Sequence, residues 1–118
     1  MQRTMVLVQI AEECAHDITV LLAPLQSEDE LFMSQNTLEA IMARLRMLSF
    51  TLGQLGRPWT DVVREIDWAA WQQLHVALSS SSEPDHDMLW FAVSSLVPAT
   101  TTLLRRGRHR HPGLFMLS

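Results

Sequence analysis

The sequence predicts an all-α protein, an antiparallel four-helix bundle with one additional short helix, and three observations lead to this prediction. Apolar residues recur every three or four positions along several segments, which is the spacing of one face of a helix. No segment shows the alternation of apolar and polar residues that is typical of a half-buried strand. The chain has 118 residues, which is enough for one domain with a single hydrophobic core.

The composition favours a packed protein of a reducing compartment. Hydrophobic residues make up 47% of the chain and charged residues 19%, as in globular rather than disordered proteins. Cys14 is the only cysteine, so no internal disulfide can form and we expect a cytoplasmic location. No apolar run approaches the roughly 20 residues that cross a bilayer, and the N-terminal segment lacks the pattern of a signal peptide. We therefore expect no membrane association.

Charge is distributed unevenly along the chain. All nine basic residues are arginines, and residues 1–104 hold five of them against all thirteen acidic residues, a net charge of −8. An acidic body repels phosphate backbones, so RNA is not favoured as a ligand of the helical body. The remaining four arginines are predicted to contact a phosphate or the acidic surface of a partner: Arg105, Arg106, Arg108 and Arg110.

The first helix is predicted over about residues 3–23. Pro24 ends it, because proline has no amide hydrogen and disfavours helix at the preceding residue. Residues 26–30 are predicted to form a solvated turn, after which Leu31 and Phe32 fold back onto the core. The apolar face of this helix has steps of three and four residues: Leu7, Ile10, Cys14, Ile18 and Leu21.

The second helix has the most regular apolar spacing. Asn36 is predicted to cap its first turn, with Glu39 three residues later completing a pair that resembles a capping box. Two glycines and a proline within residues 53–58 end it, and a short helical or irregular stretch follows at 59–65. Its apolar residues have the spacing that a packed helix pair needs: Leu38, Ile41, Leu45, Leu48, Leu52 and Leu55.

Two further helices complete the predicted bundle. Asp67 resembles the N-cap of a helix over about residues 68–79. A serine-rich loop follows, and either Asp85 or Asp87 begins the last helix, which we expect to bend at Pro98.

The last helix is predicted to end near Arg105. This places the helical bundle at residues 1–105 and leaves residues 106–118 as a tail that is first basic and then apolar. Leu114 and Phe115 are predicted to anchor the tail in an apolar groove. Burial of one large apolar side chain stabilises by roughly 1.5–3 kcal/mol, whereas an exposed ion pair contributes about 0–1 kcal/mol.

The order of these features resembles that of a known family. ELFMS at 30–34 leads to a helix that opens with TLEAI at 37–41, and EIDW at 65–68 precedes a helix with tryptophans. A polar loop and DMLW at 87–90 then open the last helix. Over roughly residues 5–105 this order and spacing resemble the HEPN superfamily, specifically HepT-like proteins. The resemblance implies a homodimeric helical bundle, a minimal nucleotidyltransferase as partner and, in active members, metal-independent cleavage of RNA.

The catalytic motif of that family is not intact in this chain. Active members carry an Arg, a gap of four to six residues and then a His, commonly followed by a Tyr two positions later. In the corresponding stretch, residues 71–80, His75 occupies the Arg position and Ser79 or Ser80 the His position, and the chain contains no Tyr. The resemblance therefore implies no catalytic residues that carry over, and no cofactor.

Three weaker candidates for catalytic residues remain. In such a nuclease the Arg would stabilise charge on the scissile phosphate and the His would transfer a proton. His75 could supply one of these roles, but we interpret it as a structural residue on a helix face. Arg106 and His111 have the spacing of the family motif, but they follow the last predicted helix, in a segment that we do not expect to hold a fixed geometry.

Metal binding and protein contacts involve other residues. His109 and His111 lack the clustered Cys or acidic residues of a metal site, so no metal is predicted. The four tryptophans and seven methionines exceed the needs of a small core and indicate an interface. We predict that Trp71, Leu114 and Phe115 belong to that interface.

These observations together predict a non-catalytic, HepT-like binding module that forms a homodimer and engages a nucleotidyltransferase-type antitoxin in a toxin–antitoxin pair. Two alternatives stay open. One is a HEPN-type ribonuclease toxin with an atypical site, built from His75 or from Arg106 and His111. The other is an unrelated helical immunity or adaptor protein.

Overall fold

The structure is a computed structural model, which describes residues 3–80 and 83–111. Within these residues the chain forms helices joined by short turns, without a β-strand. The all-α class predicted from the sequence is confirmed. The helices are α1 (Arg3–Leu22), α2 (Glu28–Met33), α3 (Gln35–Gly53), α4 (Arg57–Val62), α5 (Trp68–Ser80), α6 (His86–Phe91) and α7 (Val97–Arg110), with a π-helical turn, Ala92–Leu96, joining α6 to α7.

The long helices pack side by side around one core. α3 packs against both α1 and α5, and α7 packs against α1. α3 and α5 run in opposite directions, because Arg46 contacts Leu78 while Ser49, further along α3, contacts His75. The apolar stripe predicted for this helix is confirmed from Leu38, which is half-buried, to Leu52, whereas Leu55 is buried just beyond the end of α3.

A short helix replaces the solvated turn predicted for residues 26–30. Ser27 caps α2, because its hydroxyl accepts a hydrogen bond from the amide of Glu30 at 3.3 Å. The carboxylate of Glu30 in turn accepts one from the amide of Gln26 at 2.6 Å, an arrangement that resembles a capping box. The prediction of a turn is therefore wrong, although Leu31 is buried against the core as expected.

α3 begins earlier than predicted. The carbonyl of Ser34 accepts a hydrogen bond from the amide of Leu38 at 2.9 Å, so Asn36 lies inside the first turn and does not cap the helix. The reason is that α2 ends at Met33, which leaves a single residue for the boundary between the two helices.

The predicted start of α5 is confirmed. Asp67 Oδ1 accepts a hydrogen bond from the amide of Ala70 at 3.0 Å, which is the expected geometry of an N-cap. Upstream, α4 follows Gly56, whose φ of 77° lies in the left-handed region that favours glycine. α4 places Trp59 in the core, where 1% of its surface is exposed.

The helix from His86 to Arg110 is continuous but contains an irregular turn. Asp85 caps its start by accepting hydrogen bonds from two backbone amides. In the middle, the amide of Val97 donates to the carbonyl of Ala92, five residues earlier, as in a π-helix. The π-helical turn ends at Leu96, two residues before Pro98. Proline has no amide hydrogen to donate, so the irregular hydrogen bonding lies next to the predicted bend.

The prediction that the last helix ends near Arg105 is wrong, because α7 continues for five further residues. Gly107 lies at a close contact between helices, where an added Cβ would be 3.0 Å from Cγ2 of Val63. Arg108 forms an ion pair with Glu12 of α1. These tertiary contacts stabilise the arginine-rich segment as a helix despite the low helix propensity of glycine.

By length and composition, the helix His86–Arg110 could cross a membrane, which was not predicted from the sequence. Buried helices of soluble proteins meet the same criteria. The inward side of this helix contributes Leu89, Val93 and Leu104 to the core, each at most 2% exposed.

Candidate functional site

His75 lies half-buried on α5, on the side that faces α3. Its Nδ1 is 3.2 Å from Oγ of Ser49, and the hydroxyl of Ser49 donates to the carbonyl of Arg46 at 3.1 Å. The single hydrogen of the hydroxyl can be donated to the carbonyl of Arg46 or to Nδ1 of His75, and the direction of the bond to His75 depends on the imidazole tautomer. Ser49 is 4% exposed, so its hydroxyl is not accessible to a substrate as the nucleophile of a serine–histidine pair would be.

The groove beside His75 contains no arginine among its described lining residues. It measures about 460 Å³ and runs between α3 and α5. Arg46, the α3 arginine closest to this groove in sequence, lines a different cleft, and its Nε donates to the carbonyl of Leu78 at 3.5 Å. A metal-independent ribonuclease needs a cation at the scissile phosphate as well as a proton donor. The described lining of the groove thus supplies an imidazole and a buried hydroxyl but no guanidinium.

Arg106 and His111 come together at the end of α7. Both line a small cleft with Arg110 and Glu65, and the amide of His111 donates to the carbonyl of Gly107 at 2.8 Å. The expectation that this segment holds no fixed geometry is therefore wrong. The cleft measures about 30 Å³, the share of one water molecule in the liquid. It is too shallow to enclose a phosphate group.

The exposed side of the last turns of α7 is cationic. Arg105, Arg106, His109 and Arg110 are exposed, and their spacing of one, three and four residues places them on one arc of the helix. Within the described part of the chain, these three arginines form no ion pair. The arc is a surface at which an anionic group could be bound.

Arg108 does not belong to this exposed arc. It is half-buried and forms an ion pair with Glu12 of α1. Its predicted contact with a partner is therefore corrected to a contact within the chain, between α7 and α1.

Trp71 is a core residue, so the prediction that it belongs to an interface is wrong. It is 2% exposed, and its indole Nε1 donates to the hydroxyl of the buried Thr100 at 2.9 Å. The indole thereby joins α5 to α7, and its hydrogen bond satisfies a polar group that would be costly to bury without a partner.

Metal-ligating and nucleophilic groups are sparse. Among residues 3–80 and 83–111, no three His, Cys, Asp or Glu side chains come close enough to hold a metal ion. Cys14 is buried on α1, and this burial raises the pKa of its thiol above the ordinary value, while the charge of Arg44 opposes the rise. A protonated buried thiol is a poor nucleophile.

The outward surface of α5, together with its flanks, has no charge over its central part. We define the α5 face by four exposed residues of α5 and one exposed aromatic residue on each side. α5 contains no Asp, Glu, Lys or Arg. A groove of about 300 Å³ runs along the α6 side of this face, with Asp87 at one end. The α5 face consists of Ala69, Gln72, Gln73 and Val76 of α5, Phe50 of α3 and Phe91 of α6.

A second cleft lies between the corner of α2 and α3 and the start of α6. We call it the α2–α6 cleft, and its volume is about 740 Å³. The ring of Phe32 stacks on that of His86, with centroids 3.8 Å apart and an angle of 9° between the planes. The other lining residues that bear on its chemistry are Leu38, Met42 and Leu89, which are apolar, and Glu39, Arg46, Glu83 and Asp85, which are charged.

Comparison of the chain with protein-family models, with curated proteins and with solved structures gave no match. The function is therefore inferred from the geometry of the chain and from its sequence pattern. The predicted anchor residues Leu114 and Phe115 lie outside the described residues.

The residues of the α5 face were missed by reasoning from the sequence, although a signal was present. No charged residue occurs between Trp68 and Ser82, in a chain of which 19% is charged. Charge is depleted at the centres of protein interfaces. The α2–α6 cleft had no such signal, because it forms only where three helices meet.

Proposed function

We propose that this chain is a non-catalytic, HepT-like binding module. In this proposal, α1, α3, α5 and the helix α6–α7 form an antiparallel four-helix bundle of the HEPN type. The module forms a homodimer and engages a nucleotidyltransferase-type partner in a toxin–antitoxin pair. The partner class comes from the resemblance to HepT-like proteins, and the dimer rests on the α5 face.

The α5 face is the observation that carries the proposal. Val76, Phe50 and Phe91 are 58%, 53% and 49% exposed, and the other residues of the face are one alanine and two glutamines. Aromatic residues are enriched and charges depleted at the centres of protein interfaces. A surface of this kind supports binding to another protein.

The charge of the chain supports self-association through this face in particular. Each chain has a formal net charge of −4, so two copies repel each other over most orientations. A two-fold symmetric contact sets each patch against the same patch of the partner. When an uncharged patch pairs with its own copy, no like charges are buried against each other. An acidic patch would bury carboxylates against carboxylates.

The site around His75 supports the non-catalytic part of the proposal. His75 is hydrogen-bonded to the hydroxyl of Ser49, which is 4% exposed, and the groove beside it has no arginine among its described lining residues. Arg106 and Arg110, at the end of α7, line a different cleft.

Light scattering of matched variants tests the dimer. At micromolar concentration the wild type should have twice the chain mass of 13.5 kDa. Val76→Asp should shift the mass to that of one chain, because it buries a carboxylate without a partner. Val20→Asp is the control, since Val20 is exposed to a similar extent, 56%, but lies on α1. Circular dichroism should show unchanged helix content in both variants. A wild type that remains a single chain overturns the dimer.

Isolation from native cells tests the proposed partner. A tagged chain should retain a nucleotidyltransferase-like protein in about equal amount, identified by mass spectrometry. Retention of other proteins only, reproduced with purified components, would favour an immunity or adaptor protein.

A further inference from the structure

The α2–α6 cleft is not used by the proposed function, and its chemistry is specific. Its floor is apolar, formed by Leu38, Met42 and Leu89. The stacked rings of Phe32 and His86 form one side. Its volume of about 740 Å³ lies in the range of sites that enclose most of a small ligand. The cleft can therefore hold apolar side chains.

The rim of the cleft is acidic. Glu39, Glu83 and Asp85 lie on it, against the single guanidinium of Arg46. An occupant that matches both features has apolar side chains next to basic ones. Peptide segments of this kind bind grooves through a few apolar anchors, and the flanking charges set their orientation.

The chain contains a segment of this composition next to the end of α7. His109, Arg110 and His111 are basic or can become so, and Leu-Phe-Met-Leu follows at 114–117. The first three residues are exposed at the end of the helix, and the apolar ones lie outside the described residues. Apolar anchors after a cationic stretch complement an apolar floor with an acidic rim.

A chain cannot place this segment in its own cleft. Leu89 is the cleft residue nearest to the end of α7 along the helix, and His111 lies about 33 Å from it at 1.5 Å per residue. The molecule is elongated accordingly, with a longest extent of 43 Å. From His111 to Phe115 an extended chain spans at most about 14 Å. The occupant must therefore come from another molecule.

We infer that the C-terminal segment of one copy docks in the α2–α6 cleft of a second copy, with Phe115 against the rings of Phe32 and His86. This inference rests on the proposed homodimer. A two-fold axis that lies in the plane of the α5 face, perpendicular to the long helices, reverses the helix direction of the second copy. It brings the end of α7 in each copy towards the cleft of the other, so both segments dock reciprocally.

Cross-linking between two differently tagged full-length chains tests the inference. One chain carries Met116→Cys, which leaves Phe115 in place, and the other carries Gln35→Cys at the exposed rim of the cleft. A short bifunctional maleimide should join the two tags. Val20→Cys on α1 replaces the cleft cysteine as the control and should give no joined product. The natural Cys14 is 7% exposed. Chains that carry only one of the introduced cysteines measure how much cross-linking Cys14 contributes.

The cross-linking yield and the mass from light scattering decide the result. Adding Phe115→Ala to the Met116→Cys chain should lower the cross-linking yield at limiting concentration about tenfold. A chain with both cysteines that links to itself without forming a dimer overturns the inference, because the segment then folds back on its own chain. A dimer by light scattering without the cross-link also overturns it, while the proposed function stands. If the wild type is a single chain, both fail.

Discussion

Gly107 of α7 leaves space that the indole ring of Trp59 fills. A Cβ added at Gly107 would lie 3.2 Å from Cζ3 of Trp59 and 3.0 Å from Cγ2 of Val63. Trp59 is 1% exposed, so its ring has no room to move outward. This contact fixes the last turns of α7 against α4, and with them the exposed arginines.

Gly107→Val should lower the free energy of unfolding by about 1–3 kcal/mol, because the larger side chain overpacks a close contact. Gly53→Val is the matched control. An added Cβ at Gly53 meets no atom within 4 Å, and valine is no worse than glycine in a helix, so its effect should be within about 0.5 kcal/mol. Urea unfolding followed by circular dichroism measures both. Equal effects would show that the contact with Trp59 does not constrain α7.

This contact also explains what could be predicted of the fold. The periodic stripe of α3 was predicted correctly, because a helix that packs on one side repeats its apolar residues locally. The true end of α7 depends on Gly107 meeting Trp59, residues that are 48 positions apart, and no local pattern reports such a contact. α2 was missed for a different reason. Ser27 and Glu30 have the spacing of a capping box, but the acidic run that contains Glu30 was interpreted as a solvated turn.

Stability should fall at alkaline pH through Cys14. Burial raises the pKa of its thiol in the folded chain above the ordinary value of 9.0. The contribution of the protonated thiol to the free energy of unfolding is fully present below pH 9.0. It is lost as the pH rises through the folded pKa, because the thiol loses its proton first in the unfolded chain. The chain has no Tyr and no Lys, so no other side chain titrates between about pH 9 and about pH 11.

Urea unfolding over this pH range measures the effect of Cys14. The free energy of unfolding should decline by at most about 1.4 kcal/mol per pH unit, the limit for one proton. Cys14→Ala should remove the decline. A decline of the same slope in Cys14→Ala would assign the effect to another group.

Purified protein should show no metal-independent cleavage of RNA. The described lining of the groove beside His75 includes no arginine, so none of these residues supplies a guanidinium to stabilise charge on the scissile phosphate. The measurement is cleavage of a labelled RNA in the presence of a chelator. His75→Ala should match the wild type, and so should His16→Ala, which alters an exposed histidine of α1.

Cleavage by the wild type that disappears in His75→Ala, and persists in His16→Ala, would assign a ribonuclease site to the α3–α5 groove. Cleavage that disappears in Arg106→Ala and in His111→Ala would assign it to the end of α7. Both results contradict the proposed non-catalytic role.

The candidate site was only partly predictable, for physical reasons. His75 was identified by its place in the family motif, and its bond to Ser49 agrees with the structural interpretation of that residue. Trp71 was assigned to an interface from the number of tryptophans, but the count does not tell which of them the core requires. The indole of Trp71 can be buried because Thr100 of α7 accepts its hydrogen bond. A local sequence pattern does not show that α7 packs next to α5. Phe50 and Phe91 could not be predicted as one surface, since only the packed helices place them on either side of α5.

Dimer affinity should depend more on Phe115 than on the exposed arginines of α7. If Phe115 docks as proposed, Phe115→Ala removes a large apolar anchor. Burial of such a side chain contributes roughly 1.5–3 kcal/mol, so the dissociation constant of the dimer should rise about tenfold or more. Arg105→Ala combined with Arg110→Ala should raise it less, because exposed ion pairs contribute about 0–1 kcal/mol each. Arg108 is left unchanged in this comparison, since its pairing with Glu12 stabilises the chain itself.

Salt separates the two contributions. Ionic strength of about 0.5 M shortens the Debye length well below its physiological value of about 8 Å and weakens exposed ion pairs, whereas it leaves apolar burial in place. Sedimentation equilibrium of the wild type should therefore give nearly the same dissociation constant at low and high salt, and Phe115→Ala should show its full loss at both. If the combined arginine substitutions raise the dissociation constant more than Phe115→Ala does, and high salt raises it as much in the wild type, the segment binds through charge. The acidic rim of the α2–α6 cleft, and not its apolar floor, would then be the part that holds it.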